Sequence, residues 1–147
     1  MQAAIAIAVV VGALVTSAVI RRTRRVDVPT QPTYQLPVQL DRADFQQPST
    51  PWLVVVFWSS TCTTCADVVR KSAVLASRDV VVHNVDYSTD RHLHDKYTID
   101  AVPIVAIADH AGVVRAGFIG PVSATDLWAA VAEARQPGAS PEPGLGR

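Results

Sequence analysis

Trp52-Leu53-Val54-Val55-Val56-Phe57-Trp58 is an unbroken apolar run, separated by only Ser59-Ser60-Thr61 from Cys62-Thr63-Thr64-Cys65. Seven β-forming residues with no polar alternation suit a strand buried on both faces, the central strand of an α/β sheet. Such a strand needs neighbours and cover on both sides. Val80–Val85, Pro103–Ala108 and Val113–Phe118 read as further strands, the last two joined through a turn at His110-Ala111-Gly112. Helical patterning runs from Cys62 to Ser77, with Val68, Val69, Leu75 and Ala76 near one stripe. It recurs from Asp90 to Tyr97, where Leu93 and Tyr97 are four apart. It recurs again from a Ser123 cap to Arg135, with Leu127, Trp128 and Val131 as the apolar face. Val38 and Leu40 alternate with polar neighbours as in a short edge strand, and Asp41–Phe45 suits one helical turn. The expected architecture is α/β: an open mixed central sheet flanked by helices on both sides, over residues 38–135.

The two ends read differently. Ala3 to Ile20 carries no charge over 18 residues. As a helix it would be about 27 Å long, enough for a bilayer core of ~30 Å with slight thinning. A cleaved signal peptide would carry positive side chains before the apolar run, and only the amino terminus is there. A single-pass membrane anchor over 1–25 is therefore expected, in contact with lipid. Arg21, Arg22, Arg24 and Arg25 come directly after the span, which places the remainder of the chain on the cytoplasmic side; the extracytoplasmic orientation is the alternative. Residues 26–37 hold three prolines and read as an extended linker. Residues 136–147 hold three prolines and three glycines and read as a disordered tail.

Composition narrows the function. The net charge is zero, but with the arginines of 21–25 set aside, 9 basic residues face 13 acidic ones. That balance argues against a nucleic-acid partner. Two cysteines exclude a disulfide-stapled scaffold and a four-cysteine zinc site. His92 and His94 are two apart on a short helix, a spacing that does not put them on one face, so no metal site is expected there. A CxxC by itself fits metal ligation, redox chemistry or chance. Opening a helix inside an α/β pattern, it reads as a dithiol centre. Both sulfurs fall on the first turn, and the first meets unpaired backbone N–H groups that favour a thiolate.

Phe57-Trp58-Ser59-Ser60-Thr61-Cys62-Thr63-Thr64-Cys65 resembles the thioredoxin family string F-W-x-x-W-C-x-x-C. Ile99-Asp100-Ala101-Val102-Pro103 is similar to the family segment that ends in a cis proline. The Asn84-Val85-Asp86 strand end, Gly112 and Gly120 come next in the family order. The resemblance covers about residues 38–135 and implies the thioredoxin-like fold and thiol–disulfide exchange. It implies Cys62 as nucleophile and Cys65 as resolving thiol, with Thr61, Val102 and a cis Pro103 binding the substrate. No cofactor is implied beyond the Cys62–Cys65 disulfide. The implied partners are protein thiols and disulfides, or small sulfur species, together with an electron donor or acceptor the sequence does not name.

The chain departs from the family pattern at several points. Thr61 stands where the family has tryptophan, and Thr63-Thr64 where it has Gly-Pro. Many members bury an aspartate six residues before the first cysteine, paired with a lysine on the next strand; Val56 and Val82 stand there. Replacing both partners is coherent, because losing one alone would strand a buried charge. It leaves Cys65 without an obvious proton acceptor, and His83 is the nearest titratable residue in the sequence. Two other readings compete with a membrane-tethered oxidoreductase. One is a Cu(I) site on the CxxC, since soft thiolates suit that metal. The other is a non-catalytic interaction module at the membrane.

Overall fold

All five inner residues of β1 (Trp52–Trp58), Leu53 to Phe57, are buried in the computed structural model, which describes residues 34–139 and residue 146. The strand is central because both its edges are paired. β2 (Val80–Asp86) lies parallel on one side and β3 (Ile104–Ala108) antiparallel on the other, with β4 (Val114–Ile119) antiparallel outside β3. The sheet order is β2-β1-β3-β4. A parallel pair needs a crossover, supplied by helix α1 (Thr63–Ala73) between β1 and β2. The antiparallel β3–β4 pair needs only a tight turn.

Side-chain alternation along β1 divides the core into two layers. Leu53, Val55 and Phe57 join Phe45, Val81, Val85, Leu93, Ile99 and Ile104 beneath helix α2 (Arg91–Lys96). Val54 and Val56 join Val68, Val105, Ile107, Leu127 and Val131 beneath α1 and helix α3 (Ala124–Arg135). α3 begins where Ser123 caps it, its hydroxyl accepting from Asp126 N at 3.1 Å.

With six residues, α2 is too short to stand by propensity and is held from outside. The Asp44 carboxylate accepts from Lys96 Nζ at 2.7 Å and from the Tyr97 hydroxyl. Burial pushes that carboxyl up, but the two hydrogen bonds and the Lys96 charge prevail and hold it below the usual carboxylate range. Burial and the bond to Asp44 push the Tyr97 phenol up to about 12. Asp44 belongs to a single 3-10 turn (Arg42–Asp44), anchored in turn by buried Arg42, which donates to the carbonyls of Asp109 at 3.0 Å and Thr50 at 2.8 Å.

Most element ends fall within a residue of the sequence expectation, and three regions differ by more. The helix expected over Cys62–Ser77 starts after Cys62, which is its cap, and stops at Ala73; Ser77 instead bridges back to Val80. The expected edge strand at Val38–Leu40 is reduced to one bridge, Gln39 to Val113, and Val38 is 81% exposed. Two backbone hydrogen bonds flank the bridge, Leu40 N to Gly112 O at 2.8 Å and Val114 N to Val38 O at 3.1 Å. The start of the expected disordered tail is a turn, with the Glu133 carboxylate accepting from Gly138 N at 2.9 and 3.0 Å. The rest of the tail apart from residue 146, the expected span over Ala3–Ile20, and residues 26–33 of the linker lie outside the described residues. Among the described residues no helix is long and apolar enough to cross a membrane.

Gly112 carries the close approach between the turn and Leu40. Its φ is +79°, and a Cβ there would lie 1.9 Å from Leu40 O. Gly112→Ala must both strain the backbone and push Leu40 away. The expected cost is about 2–4 kcal/mol, read as a lower urea midpoint with an unchanged slope.

Candidate redox site

β1 delivers its end to the site. After Trp58 the chain leaves the sheet, and Tyr87 N donates to Trp58 O at 2.9 Å, tying the ends of β1 and β2 together. Ser59–Thr61 make the loop. Cys62 N donates to Ser59 O at 3.0 Å, and the Ser59 and Thr61 hydroxyls are 3.0 Å apart. Cys62 then adopts extended backbone, and its sulfur accepts from Cys65 N at 3.2 Å. A sulfur thus occupies the place of a capping oxygen, facing the unpaired N–H groups of α1. The Thr64 hydroxyl lies 3.4 Å from the same sulfur.

Cys62 and Cys65 are joined, with an S–S distance of 2.09 Å and Cα atoms 5.3 Å apart. Cys62 is half-buried and Cys65 is fully buried on the inner stripe of α1 with Val68 and Ser72. The Val102–Pro103 peptide bond is cis. Thr61, Cys62 and Val102 line one groove of about 600 Å³, together with Tyr87, Ile99 and Ala101. Pro103 is buried behind that wall, its carbonyl accepting from Gly120 N at 2.8 Å. Of the residues singled out from the sequence, Thr61, Cys62 and Val102 therefore share one surface, while Cys65 and Pro103 lie beneath it.

His83 is not part of the site. Val82 shares the face of Val54, and His83, one residue on, points to the opposite face of the sheet. There its ring meets Phe45 edge-on at 5.4 Å, and burial, opposed by Asp90, lowers its pKa. Sequence proximity misleads here because a strand alternates sides at every residue. Val56 and Val82 both belong to the α1 layer.

Several groove residues lie outside the expected site, and His94 is the most buried of them. His94 is 1% exposed and lines the groove wall, whereas His92 is exposed. Its Nε2 pairs with Val85 O at 3.2 Å, and its ring meets Phe57 and Tyr87 edge-on. The sequence held a signal for it: His94 lies three residues before Tyr97, a spacing that makes the two neighbours on the helix surface. At the back of the site, Asp86 accepts from Ser88 N and Ser88 Oγ, both at 2.9 Å, and from Ser60 N. The Ser88 backbone bond leads these in keeping its carboxyl below the usual range.

The thioredoxin family model matches residues 37–133. The chain belongs to the thioredoxin family. No curated protein matches the chain. Among solved structures, a thioredoxin from Fasciola hepatica superposes with a TM-score of 0.52 at 22% identity, over 59% of this chain and 84% of that one. Trxlp from Edwardsiella tarda gives 0.50 at 20%, over 60% and 91%. A structure described as a malarial protein gives 0.52 at 18%, over 57% and 97%. At these identities the likeness carries the thioredoxin fold and no more. This thioredoxin-family domain holds its cysteine pair at disulfide distance at the helix start, and Val102, whose bond to Pro103 is cis, shares a groove with Cys62.

Proposed function

We propose that the protein is a membrane-tethered thiol–disulfide oxidoreductase. The carrying observation is the asymmetry of the pair: one sulfur half-exposed at a helix cap, its partner fully buried one turn on. In the reduced protein the Cys62 thiolate attacks one sulfur of a substrate disulfide. A new S–S bond forms and the other substrate sulfur leaves as a thiolate, which takes up a proton from water. The Cys65 thiolate then attacks the Cys62 sulfur and expels the second substrate sulfur as a thiolate, which also takes up a proton from water. The substrate gains two electrons and Cys62–Cys65 becomes the disulfide. Thr61 and Val102 lie where substrate would rest against Cys62, with Pro103 setting the wall behind.

Tethering rests on the uncharged stretch Ala3–Ile20, and a cytoplasmic domain on the four arginines after it. Lipid would then be a partner of residues 1–25. Protein thiols and disulfides, and a donor or acceptor of electrons, are the partners of the groove.

The experiment is trapping. Cys65→Ser leaves a Cys62 mixed disulfide with nothing to resolve it, so covalent complexes that dissolve on reduction should accumulate in the membrane fraction. Cys62→Ser should give none. Trapping by Cys62→Ser alone would reverse the assignment of roles, equal trapping by both would remove it, and complexes found only in the soluble fraction would remove the tether.

A further inference from the structure

The geometry points to a cationic disulfide as the preferred substrate, a segment with a basic group beside its cysteine held against an acidic rim of the groove. This rests on the exchange chemistry proposed above. The charged side chains lining the groove are Asp95 and Asp100, and no lysine or arginine lines it. Asp100 has no ion-pair or hydrogen-bond partner among the described residues and immediately precedes Ala101 and Val102 on the wall beside Cys62. Asp86, adjacent in the chain to Tyr87 of the groove, has its carboxyl held below the usual range, chiefly by the Ser88 backbone bond. Of the neighbouring cations, Arg91 rests loosely on the rim itself and Lys96 is engaged elsewhere. Arg91 lies over the Tyr87 ring at 5.4 Å and reaches Asp95 only at 3.9 Å. Lys96 is drawn to Asp44 at 2.7 Å and Asp41 at 3.6 Å.

A second, independent feature asks for a donor. The Val85 carbonyl can only accept, so in the neutral ring of His94 the proton sits on Nε2 and Nδ1 is an acceptor. That Nδ1 is buried and has no partner. A buried acceptor without a donor is costly, and because His94 lines the groove, an occupant that parts the wall there can bring one. A basic segment supplies both a positive charge for the rim and N–H donors for the wall. Charge complementarity of this kind acts first on the rate of productive encounter and is lost in salt.

The test uses the reduced full chain in a neutral detergent and three small disulfides as oxidants: cystamine, which is dicationic, neutral 2-hydroxyethyl disulfide, and dianionic 3,3′-dithiodipropionate. Each takes two electrons from the cysteine pair and leaves as two thiols. Each rate is divided by the rate of the same disulfide with 2-mercaptoethanol, which removes intrinsic reactivity. The expected order is cation, neutral, anion, spanning about tenfold at low ionic strength and shrinking severalfold in about 0.5 M salt. Asp95→Asn with Asp100→Asn should shrink the span at least threefold. Asp126→Asn, on the opposite face of the sheet, should leave it standing, which separates the rim from net charge. Three normalised rates within twofold of one another, or an order that survives the double substitution, would overturn the preference while leaving exchange intact. No exchange with the neutral disulfide either would sink the oxidoreductase reading and this one with it.

Discussion

The mixed disulfide on Cys62 should resolve about 25- to 100-fold faster at pH 9 than at pH 7, without reaching a plateau between them. Only a thiolate attacks, and a free thiol with a pKa of ~8.5 is about 3% ionised at pH 7. Cys65 is fully buried on the inner stripe of α1, and burial opposes ionisation. The layer that α1 packs on presents Val56 and Val82 where a proton acceptor and its counter-charge would otherwise stand. His83 faces the other layer, so His83→Ala should leave the profile unchanged. The measurement is stopped-flow oxidation of the reduced protein by 2-hydroxyethyl disulfide, following the second phase across pH. A resolving rate already level at pH 7 would mean that some other group accepts the Cys65 proton. An effect of His83→Ala would mean that the sheet does not separate the two residues as described.

Some of this molecule was legible in the sequence because the physics there is local. An apolar run from Trp52 to Trp58 cannot be satisfied at an edge, so the run itself demands a central strand with cover on both faces. Cysteines three apart at a helix start must meet on one turn, whatever surrounds them. Other features depend on partners distant in the chain. Arg42 reads as a surface charge until the Asp109 and Thr50 carbonyls close around it. Val38–Leu40 alternates like a strand, but the turn at Gly112 offers only one bridge before the chain diverges. His83 shows the commonest error, in which nearness along a strand is taken for nearness in space. His94 shows the reverse, a polar residue on an apolar helical face, buried because the Val85 carbonyl waits there.

Val56→Asp should cost about 3–5 kcal/mol at pH 7, and the cost should depend on pH in a definite direction. Val56 is fully buried between β2 and β3, in the same layer as Val68 of α1. A carboxyl placed there is desolvated, so its pKa in the folded protein lies above the unfolded value of ~3.9. Well below the unfolded pKa, at about pH 3, both states are protonated, and the penalty is only that of burying a neutral polar group. As pH rises, the unfolded chain ionises first and stability falls, until the raised folded pKa is passed and the penalty levels off. Urea midpoints of the variant and wild type at about pH 4, 5.5 and 7 should therefore diverge with pH. A gap that stays constant across that range would mean that the carboxyl finds water or a cation. Val82 faces the same layer one diagonal step along β2, within reach of a long side chain. Adding Val82→Lys should recover at least ~1 kcal/mol through pairing, seen as a coupling in the double-mutant cycle. It should also lower the pH at which resolution by Cys65 levels off, because an ionisable acceptor would then stand in the α1 layer. Strict additivity of the two substitutions would show that they do not meet, and that the two valines are independent packing residues rather than the apolar replacement of an ion pair.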